Sequence, residues 1–365
     1  MKHSLHFLLK TSLTIFAVLL FLSMILSLSA TWISPSDFVL PAFFALVFPL
    51  IWLVLTFMLP FYFRKRLLFR LLLLVWLISL PVMLKHYLTG SPGDHQNRKV
   101  YKILTYNVQG FTNINFGSTK AARKISIIDF VDKQNPDVLC MQEYLLKQAR
   151  PVHYPNEITY EIRMPHKVYS NYSVNSYGSA FCLMIASNYP IEQYGTVYSP
   201  QDESFAMYAD VRFPEGIVRV YNLHLESVKL LKEKKLLRPG QRSGFASNFL
   251  SNVKGFYRKL KKSYPMRAFQ VKRVRESMLS SAYPVIVAGD FNDTPASYAY
   301  GTISEGYQDA ATCKGQGMSG TFAESPYPIR IDHVLVDKRL LVGSYTRFRK
   351  PYSDHYPVMA EFSFR

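Results

Sequence analysis

The stretch VIVAGDFND at residues 285–293 joins a short apolar run to a polar cluster that begins where the run ends. The run has the length and composition of a buried strand. Gly289 permits a tight exit from that strand, and Asp290 and Asn292, two residues apart, point to the same side. The stretch therefore predicts an acidic and an amide side chain at the rim of a sheet.

Five further polar motifs end or follow apolar runs in the same way. They are Tyr106-Asn107-Val108-Gln109-Gly110, Met141-Gln142-Glu143, Asn222-Leu223-His224-Leu225, Ile331-Asp332-His333 and Ser353-Asp354-His355. Six such rims, gathered at one place, would form a pocket lined with carboxylates, amides and imidazoles. That set of side chains suits metal-assisted cleavage of a phosphate ester.

The first hundred residues have a different character. Three long apolar runs, at 11–33, 38–63 and 67–84, contain a single charged residue, Arg70. A helix needs ~20 apolar residues to span a bilayer. Two further runs after the first, and the lack of a small-residue cleavage site, disfavour a cleaved signal peptide. Three transmembrane helices are predicted.

The basic residues of the short connections predict the orientation of these helices. Lys2 and Lys10 precede the first run and three cations occupy 64–66, whereas the connection TWISPSD at 31–37 has none. Connections rich in Lys and Arg stay in the cytoplasm. The chain after the third helix is therefore predicted to lie outside the cytoplasm, with the protein in the inner (plasma) membrane.

The polar, turn-rich segment TGSPGD at 89–94 predicts a break between two parts of the chain. We accordingly predict a membrane anchor at 1–88, a linker at 89–99 and one large domain at 100–365, long enough for a substantial core. The chain has 3 cysteines, an odd number, and two of them lie in apolar strands, which disfavours a disulfide framework.

The pattern of the large domain predicts α/β alternation. Strands are predicted at 101–107, 137–142, 179–187, 204–213, 217–224, 284–289, 330–336 and 356–364, and helices at 120–134 and 267–282. The three strands between 179 and 224 follow one another through short turns, which predicts antiparallel pairing. The helix at 120–134 is predicted to bury one face, which carries Ala121, Ile125, Ile128 and Val131. Mixed pairing with flanking helices predicts a layered sandwich rather than a doubly wound parallel sheet.

From Tyr101 to the C-terminus, the six motifs in this order resemble the endonuclease/exonuclease/phosphatase superfamily, which includes deoxyribonuclease-I-like nucleases, abasic-site endonucleases, sphingomyelinases and inositol polyphosphate phosphatases. The three-helix prefix is similar to the membrane-anchored bacterial branch. The resemblance implies a four-layer α/β sandwich, two mixed β-sheets flanked by helices, with the site at one sheet edge. It also implies hydrolysis of phosphate ester bonds with Mg²⁺, or with Mn²⁺ in its place.

The resemblance further implies roles for matched residues near a metal. Glu143 corresponds to the principal metal ligand, Asn107 lies beside the metal and the phosphate, and Asp354 is a supporting or second-metal carboxylate. Taken singly, a Glu after an apolar run is more often a solvated strand end, and an Asn there usually caps a turn. Hard divalent cations prefer such oxygen ligands.

Five more residues receive catalytic roles from the same resemblance. Asp290 orients or deprotonates the attacking water, and Asn292 donates a hydrogen bond to the phosphoryl group. His224 contacts the phosphate or assists the leaving group, although a lone His is more often structural. Asp332 holds His355, which contacts the scissile phosphate. Asn107, His224 and Asn292 are the expected substrate contacts.

The formal charge of +18 is concentrated in one segment. Residues 229–275 contain fifteen Lys or Arg, interleaved with Leu, Phe and Tyr, and one acidic residue, Glu233. The segment is interpreted as a solvated helical face, as a contact for anionic lipid head groups, or as a contact for a polyanionic substrate.

These observations favour a membrane-anchored, divalent-metal-dependent phosphoesterase that cleaves a phosphodiester or phosphomonoester outside the cytoplasm. The alternatives are a nuclease acting on extracytoplasmic DNA or RNA, and a non-catalytic module that binds phosphorylated ligands. Phospholipid, nucleic acid and small phosphoesters all remain possible substrates, and membrane lipid is the other expected partner, with no protein partner predicted. A channel or transporter is disfavoured because the three helices contain no internal acidic residue.

Overall fold

The computed structural model describes residues 2–87, 89–90, 99–111, 120–146, 162–174, 180–198, 204–227 and 245–365. Most of the predicted linker and residues 229–244 of the basic segment lie outside the described residues. By their contacts, the residues form two compact units. One comprises Met1–Leu88, Ser227–Phe269 and Thr294–Gly301, and the other Thr89–Glu226, Gln270–Asp293 and Thr302–Arg365.

The first unit contains the apolar N-terminal helices. These are α1 Lys2–Ser29, α2 Leu40–Leu46, α3 Phe48–Met58 and α4 Arg66–Tyr87, with a 3₁₀ turn at Leu59–Tyr62. Helix α4 and the Lys10–Ser29 part of α1 are long and apolar enough to cross a membrane. The second predicted span is bent by 73° between α2 and Phe48–Tyr62, and gives a third crossing only if the bent pair is one span. Pro49, in the first turn of α3, contributes to this break because it has no N–H to donate back into α2.

The remaining elements belong mainly to the second unit. The strands are β1 Thr89–Gly90, β2 Tyr101–Asn107, β3 Val138–Leu146, β4 His166–Val174, β5 Ala180–Ser187, β6 Ile191–Tyr198, β7 Ser204–Phe213, β8 Gly216–His224, β9 Val285–Asp290, β10 Tyr307–Asp309, β11 Gln316–Gly317, β12 Asp332–Asp337, β13 Leu340–Arg347 and β14 Val358–Phe364. The helices are α5 Lys120–Gln134, α6 Phe245–Leu279, α7 Tyr298–Ser304 and α8 Ala310–Lys314, with a 3₁₀ turn at Gln109–Phe111.

Two six-stranded mixed sheets form the frame of this unit. The β9 sheet has the order β10-β12-β9-β8-β7-β6, and the β2 sheet has the order β13-β14-β2-β3-β5-β4. Each sheet contains one parallel pair, β8 with β9 and β2 with β3, and otherwise pairs antiparallel. The carboxyl ends of β2, β8 and β9 carry three of the predicted motifs.

An apolar core lies between the two sheets. It includes Ile103 and Cys140 of the β2 sheet and Val220 and Ile286 of the β9 sheet, all fully buried. Helix α5 covers the outer face of the β2 sheet. On the outer side of the β9 sheet, a hydrogen bond of 2.8 Å joins the hydroxyls of Tyr221 in β8 and Ser277 in α6. The predicted four-layer sandwich is therefore confirmed.

Several local predictions were wrong. Strand β5 was predicted to pair with β7, but it pairs with β3 and β4 in the β2 sheet. The strand between them in the chain, β6, was not predicted, and it is β6 that pairs with β7 in the β9 sheet. Helix α6 begins at Phe245 rather than at 267, and strands β4 and β13 were also not predicted. In α5 Val131 is buried as predicted and Ile128 is partly buried, but Ile125 is exposed, and Ile127 and Phe130 are buried instead. The side chain of Ala121 lies outside the described residues.

Candidate active site

Strand register in the β9 sheet aligns three predicted site residues. His224 of β8 pairs with Asp290 of the parallel strand β9, and Asp290 pairs with Asp332 of the antiparallel strand β12. Asp332 begins its strand whereas the other two end theirs, so antiparallel pairing brings all three to the same edge. Backbone pairing alone therefore places two carboxylates and an imidazole side by side.

Gly289 is required by this close pairing. A Cβ atom at this position would lie 2.3 Å from the carbonyl oxygen of Leu223 on β8, and the φ angle is +143°. Side chains other than glycine rarely adopt such a conformation. The glycine of the GDFND motif thus lets β9 approach β8 just before the acidic residue.

The turn after β9 is held by Asp290 itself. Its Oδ1 atom accepts a hydrogen bond from the backbone N–H of Asn292 at 2.8 Å. The Asn292 side-chain amide donates to the carbonyl oxygen of Leu225 at 2.9 Å and to Asp290 Oδ2 at 3.2 Å. Asn292 has a φ of +51°, a left-handed conformation that Asn tolerates better than most residues. Because Asp290 and Asn292 are predicted to be catalytic, we call Asp290–Asp293 the catalytic loop.

The β2 sheet contributes Asn107 and Glu143. Glu143 does not follow its strand, as the sequence predicted, but lies within β3 at a bulge between Met141 and Tyr144, with a φ of +52°. Bulges of this kind re-aim a side chain. The Asn107 amide donates to Glu143 Oε1 at 3.3 Å and to Asp290 Oδ2 at 3.1 Å, so it links the carboxylates of the two sheets.

The Ser353-Asp354-His355 motif also reaches both sheets. The Ser353 hydroxyl donates to the carbonyl oxygen of Asn107 at 2.7 Å, and Asp354 Oδ2 accepts from the Gln109 amide at 2.7 Å. His355 Nδ1 lies 2.9 Å from Asp332 Oδ2. This hydrogen bond directs the other ring nitrogen towards Asp290, whose Oδ2 atom is 3.6 Å away.

His224 lies on the other side of Asp290. Its Nε2 atom is 3.4 Å from Glu143 Oε1 and 3.8 Å from Asp290 Oδ2. The Asp290 carboxylate is therefore flanked by two imidazoles and an amide. All eight predicted site residues converge on one region of the second unit.

Burial sets the electrostatics of this region. Asp290 is 1% exposed, and burial raises its pKa although the nearby His355 and His224 oppose the change. Burial, with the nearby Glu143 charge, raises the pKa of Asp354 to about 6, although His355 opposes this. Burial by itself would lower the pKa of His355, but the Asp332 and Asp290 carboxylates outweigh burial and raise this pKa well above its usual value.

Two sets of side chains could hold a divalent cation. Ligand atoms of Asp290, Asp332 and His355 lie within 4.8 Å of one another, but the hydrogen bond between Asp332 and His355 already engages two of them. Glu143 and Asp354, with the Asn107 amide between Glu143 and Asp290, offer oxygen atoms of the kind that Mg²⁺ prefers. Because the carboxylates outnumber the cationic groups here, a divalent cation fits the charge of the site.

Sequence reasoning missed a pair of amides that joins the two sheets. Gln142 Nε2 of β3 donates to Asn222 Oδ1 of β8 at 2.6 Å. The Asn222 amide in turn donates to the carbonyl oxygens of Met141 and Met184 at 2.9 and 2.8 Å. Both are fully buried. A signal was available, because Asn222 precedes His224 by two residues and so lies on the same face of its strand.

His333 supports the catalytic loop, although no role was predicted for it. Its Nε2 atom lies 3.1 Å from the carbonyl oxygen of Asp293, and its Nδ1 atom 3.3 Å from Arg330, which is paired with Asp309 at 2.6 Å. Because Arg only donates, Nδ1 must accept, and Nε2–H donates to Asp293. Burial, followed by the charge of Arg330, lowers the pKa of His333 to about 3, which keeps the ring neutral.

Comparisons with known proteins agree with this arrangement. Residues 104–355 match the profile of the Endonuclease/Exonuclease/phosphatase family. The chain belongs to this family. Members of the endonuclease/exonuclease/phosphatase family are generally hydrolases of phosphate esters and commonly use divalent metals. No curated protein matches the chain significantly.

Solved structures share the fold at low sequence identity. An endonuclease/exonuclease/phosphatase from Beutenbergia cavernae is 17% identical with a TM-score of 0.54, over 73% of this chain and 72% of that one. A functionally unknown conserved protein from Enterococcus faecalis is 17% identical with a TM-score of 0.53, over 72% of this chain and 100% of that one. A family protein from Bacteroides thetaiotaomicron is 16% identical with a TM-score of 0.52, over 74% and 97%. At such identities the likeness establishes the fold alone.

Proposed function

We propose that this family member is a membrane-anchored, divalent-metal-dependent phosphoesterase whose catalytic domain acts outside the cytoplasm. The observation that supports the chemistry best is the buried Asp290 carboxylate, flanked by His224, His355 and the Asn107 amide. Burial raises the pKa of this carboxylate and makes it a stronger base towards a bound water, as general base catalysis requires.

In this proposal Asp290 orients the attacking water and takes its proton. The water oxygen forms a bond to phosphorus as the bond to the leaving ester oxygen breaks, and that oxygen receives a proton from an imidazole. His224 is the proposed proton donor or phosphate contact. His355, fixed through Nδ1 by Asp332, presents its other nitrogen to a phosphoryl oxygen, as in sites where a carboxylate orients a His.

Glu143, Asn107 and Asp354 would hold the metal, Mg²⁺ or Mn²⁺. When bound, such an ion supplies Lewis-acid stabilisation of charge on the phosphoryl oxygens. Asn292 is a further proposed donor to the phosphoryl group. Its side-chain amide nitrogen lies 3.2 Å from Asp290 Oδ2, and so beside the proposed base. Preorganised donors of this kind are commonly the largest catalytic contribution.

A hydrolysis panel with the full chain in detergent micelles tests this chemistry. The panel contains a generic phosphodiester, a phosphomonoester, DNA, RNA and phospholipid, each with Mg²⁺, with Mn²⁺ and with a chelator. We expect metal-dependent hydrolysis of at least one ester, absent from the Asp290→Asn variant. Hydrolysis confined to nucleic acids would favour the nuclease alternative, and binding without hydrolysis of any ester would favour the phospholigand-binding module.

The proposed location rests on the basic residues of the short connections. We retain the division into an anchor at 1–88, a linker at 89–99 and a catalytic domain at 100–365 as part of the proposal. Trp32, 78% exposed in the connection between α1 and α2, is the kind of residue that lies at a membrane–water interface. A reporter active only outside the cytoplasm, fused after residue 95, should be active. Activity of a cytoplasm-only reporter at that position would place the domain on the other side.

Anionic lipid is the second proposed partner, and helix α6 supplies the surface. Leu260 and Tyr264 of this helix are buried against α2, whose Phe43 ring stacks on Tyr257 at 5.0 Å. Lys261 and Lys262 are exposed. A helix fixed to apolar helices by one face and cationic on another suits a lipid surface, where each Lys or Arg is worth ~1 kcal/mol.

Fluorescence quenching tests this contact. A dye attached at Lys261→Cys, in full chain reconstituted into vesicles, should be quenched by head-group spin labels more strongly in anionic than in neutral bilayers. Equal quenching in both would leave a solvated helical face. If instead the surface binds nucleic acid, neutralising Lys261 and Lys262 should flatten the salt dependence of binding to duplex DNA by about 0.9 log units per lost phosphate contact.

A further inference from the structure

Residues Thr294–Gly301 follow the catalytic loop directly in the chain, yet they group with the apolar N-terminal helices. Ala296, 4% exposed, belongs to the same apolar cluster as Ala45 and Phe48. Thr294 and Tyr300 are also buried. We call Thr294–Gly301 the docked segment. Part of the cluster that contains Ala296 is made by helices that are long and apolar enough to cross a membrane.

Three polar contacts fix the docked segment at separate points. The Thr294 hydroxyl donates to the carbonyl oxygen of Ala45, in the last turn of α2, at 3.3 Å. The Thr31 hydroxyl, in the connection between α1 and α2, donates to the carbonyl oxygen of Ala296 at 3.4 Å. The Tyr300 hydroxyl lies 3.5 Å from His86 Nδ1 in the last turn of α4, with the two rings edge to face. Elements from both ends of the hydrophobic region therefore hold eight consecutive residues.

The fit around Gly301 is close. A Cβ atom at this position would lie 2.4 Å from the methyl group of Thr31 and 3.3 Å from its carbonyl oxygen. Atoms that near cannot coexist, so a side chain at 301 requires the Thr31 side chain, the connection or the docked segment to move. Gly255 of α6, in the same unit, offers a matched position where a Cβ atom would meet nothing within 4 Å.

We propose that the apolar helices act as a support for the catalytic loop, with Thr31, Thr294 and Tyr300 as positioning residues. Strand β9 fixes the start of the loop at Asp290, and the docked segment begins at the residue after Asp293. Between them Asn292 has a left-handed φ, which Asn tolerates better than most residues but which its surroundings must still select. The inference rests on the proposed phosphoesterase function. It adds that the anchor contributes to turnover and does more than tether the domain.

Gly301→Ala tests this support in the full chain, in detergent micelles, with bis(4-nitrophenyl) phosphate and Mg²⁺. A misplacement of about 1 Å can cost roughly 10²-fold in rate, so we expect kcat to fall by about 10- to 100-fold with little change in KM. Adding Thr31→Ser removes the clashing methyl group but keeps the hydroxyl, and should restore most of the loss. Gly255→Ala should behave like wild type.

Hydrogen exchange provides a readout that does not need catalysis. In the absence of substrate, the amides of residues 290–301 should exchange faster in Gly301→Ala than in wild type or Gly255→Ala, and Thr31→Ser should reverse the change. The protein could prove inactive on every ester while Gly301→Ala still exchanges faster and Thr31→Ser still reverses the change. That result would refute the proposed function but would support the docking. An unchanged exchange rate at 290–293, or a loss of kcat that Thr31→Ser does not rescue, would overturn the inference.

Discussion

The two sheet edges that meet at the site are built in different ways. At the β9 edge, strand register alone aligns His224, Asp290 and Asp332, and the Asp290 side chain is 1% exposed. At the β2 edge, Glu143 is re-aimed by a bulge and its side chain is 30% exposed. The β9 edge is buried and fixed by backbone pairing, and we call it the dry edge. The β2 edge is more exposed to solvent and is shaped by the bulge in β3, and we call it the open edge.

This difference matches two chemical tasks. A buried carboxylate has a raised pKa and is a stronger base towards a bound water than an exposed one. A hydrated divalent cation instead needs an accessible carboxylate and space for the waters that it retains. The β9 edge therefore suits proton transfer and the β2 edge suits a metal, with the Asn107 amide bridging them.

The largest expected effect comes from the dry edge. Asp290→Asn keeps the size of the side chain but removes the proposed base, so kcat should fall by about 10²–10⁴-fold at every metal concentration. Steady-state kinetics on the ester that wild type cleaves best measure this. Asp129→Asn, the same change at an exposed position of α5, is the control. Turnover of Asp290→Asn near that of the control would mean that the dry edge is not the catalytic one.

The open edge should respond differently. Glu143→Gln removes a carboxylate from the proposed metal site, so the metal concentration for half-maximal activity should rise by about 10–100-fold, and added metal should recover part of the rate. A titration with Mg²⁺ and Mn²⁺ measures this, with Glu276→Gln, exposed on α6, as the control. If Glu143→Gln lost turnover without any shift in metal dependence, the assignment of separate tasks to the two edges would fail.

The contrast between the edges also explains what the sequence could predict. Asp290 and His224 were placed correctly at the ends of their strands, because an apolar run that ends in a polar residue marks a strand end. Asp332 was also predicted to follow an apolar run, but it begins β12, and antiparallel pairing with β9 brings it to the same edge. Glu143 was predicted after its strand because a bulge needs no special residue type here and leaves no mark in the apolar pattern. Membership of a sheet was harder still, since β5 and β7 look alike in sequence although they lie in different sheets.

Contacts between distant residues could not be predicted from local patterns. The Gln142–Asn222 pair, the hydrogen bond from His333 to Asp293 and the docking of Thr294 on Ala45 each join segments at least 40 residues apart. No periodicity reports such a partner. The motif residues nevertheless came together as expected. His224 and Asp290 share one edge because they end neighbouring parallel strands, whereas Asp332 reaches the same edge by antiparallel pairing.

A third prediction concerns the amide pair Gln142 and Asn222, which joins the two sheets behind their edges. Asn222→Leu removes three buried hydrogen bonds that join β8 to the β2 sheet. Each buried group left unpaired costs about 1–3 kcal/mol, so the midpoint of thermal unfolding should fall clearly. Gln193→Leu, exposed on β6, should not lower it. In the double variant with Gln142→Leu the losses should be less than additive, because both changes break the same bond. Strict additivity would show that the pair does not act as a unit.

The smallest expected effect concerns the neutral His333 beneath the catalytic loop. Its pKa is lowered to about 3 in the folded chain, against about 6.5 for an ordinary His in the unfolded chain. Between these values the unfolded state binds the extra proton, so the stability that His333 contributes is complete above about pH 6.5 and is lost as the pH falls towards 3. The slope is at most about 1.4 kcal/mol per pH unit for one proton.

His333→Gln keeps an amide donor near Asp293 but does not titrate. Thermal unfolding of both proteins from pH 7.5 to 5 should therefore show wild type losing stability faster than the variant, while groups that titrate in both cancel in the difference. Parallel curves, or a wild type that gains on the variant as the pH falls, would mean that the ring is not held neutral, and that its hydrogen bond to the catalytic loop does not depend on the Arg330 contact.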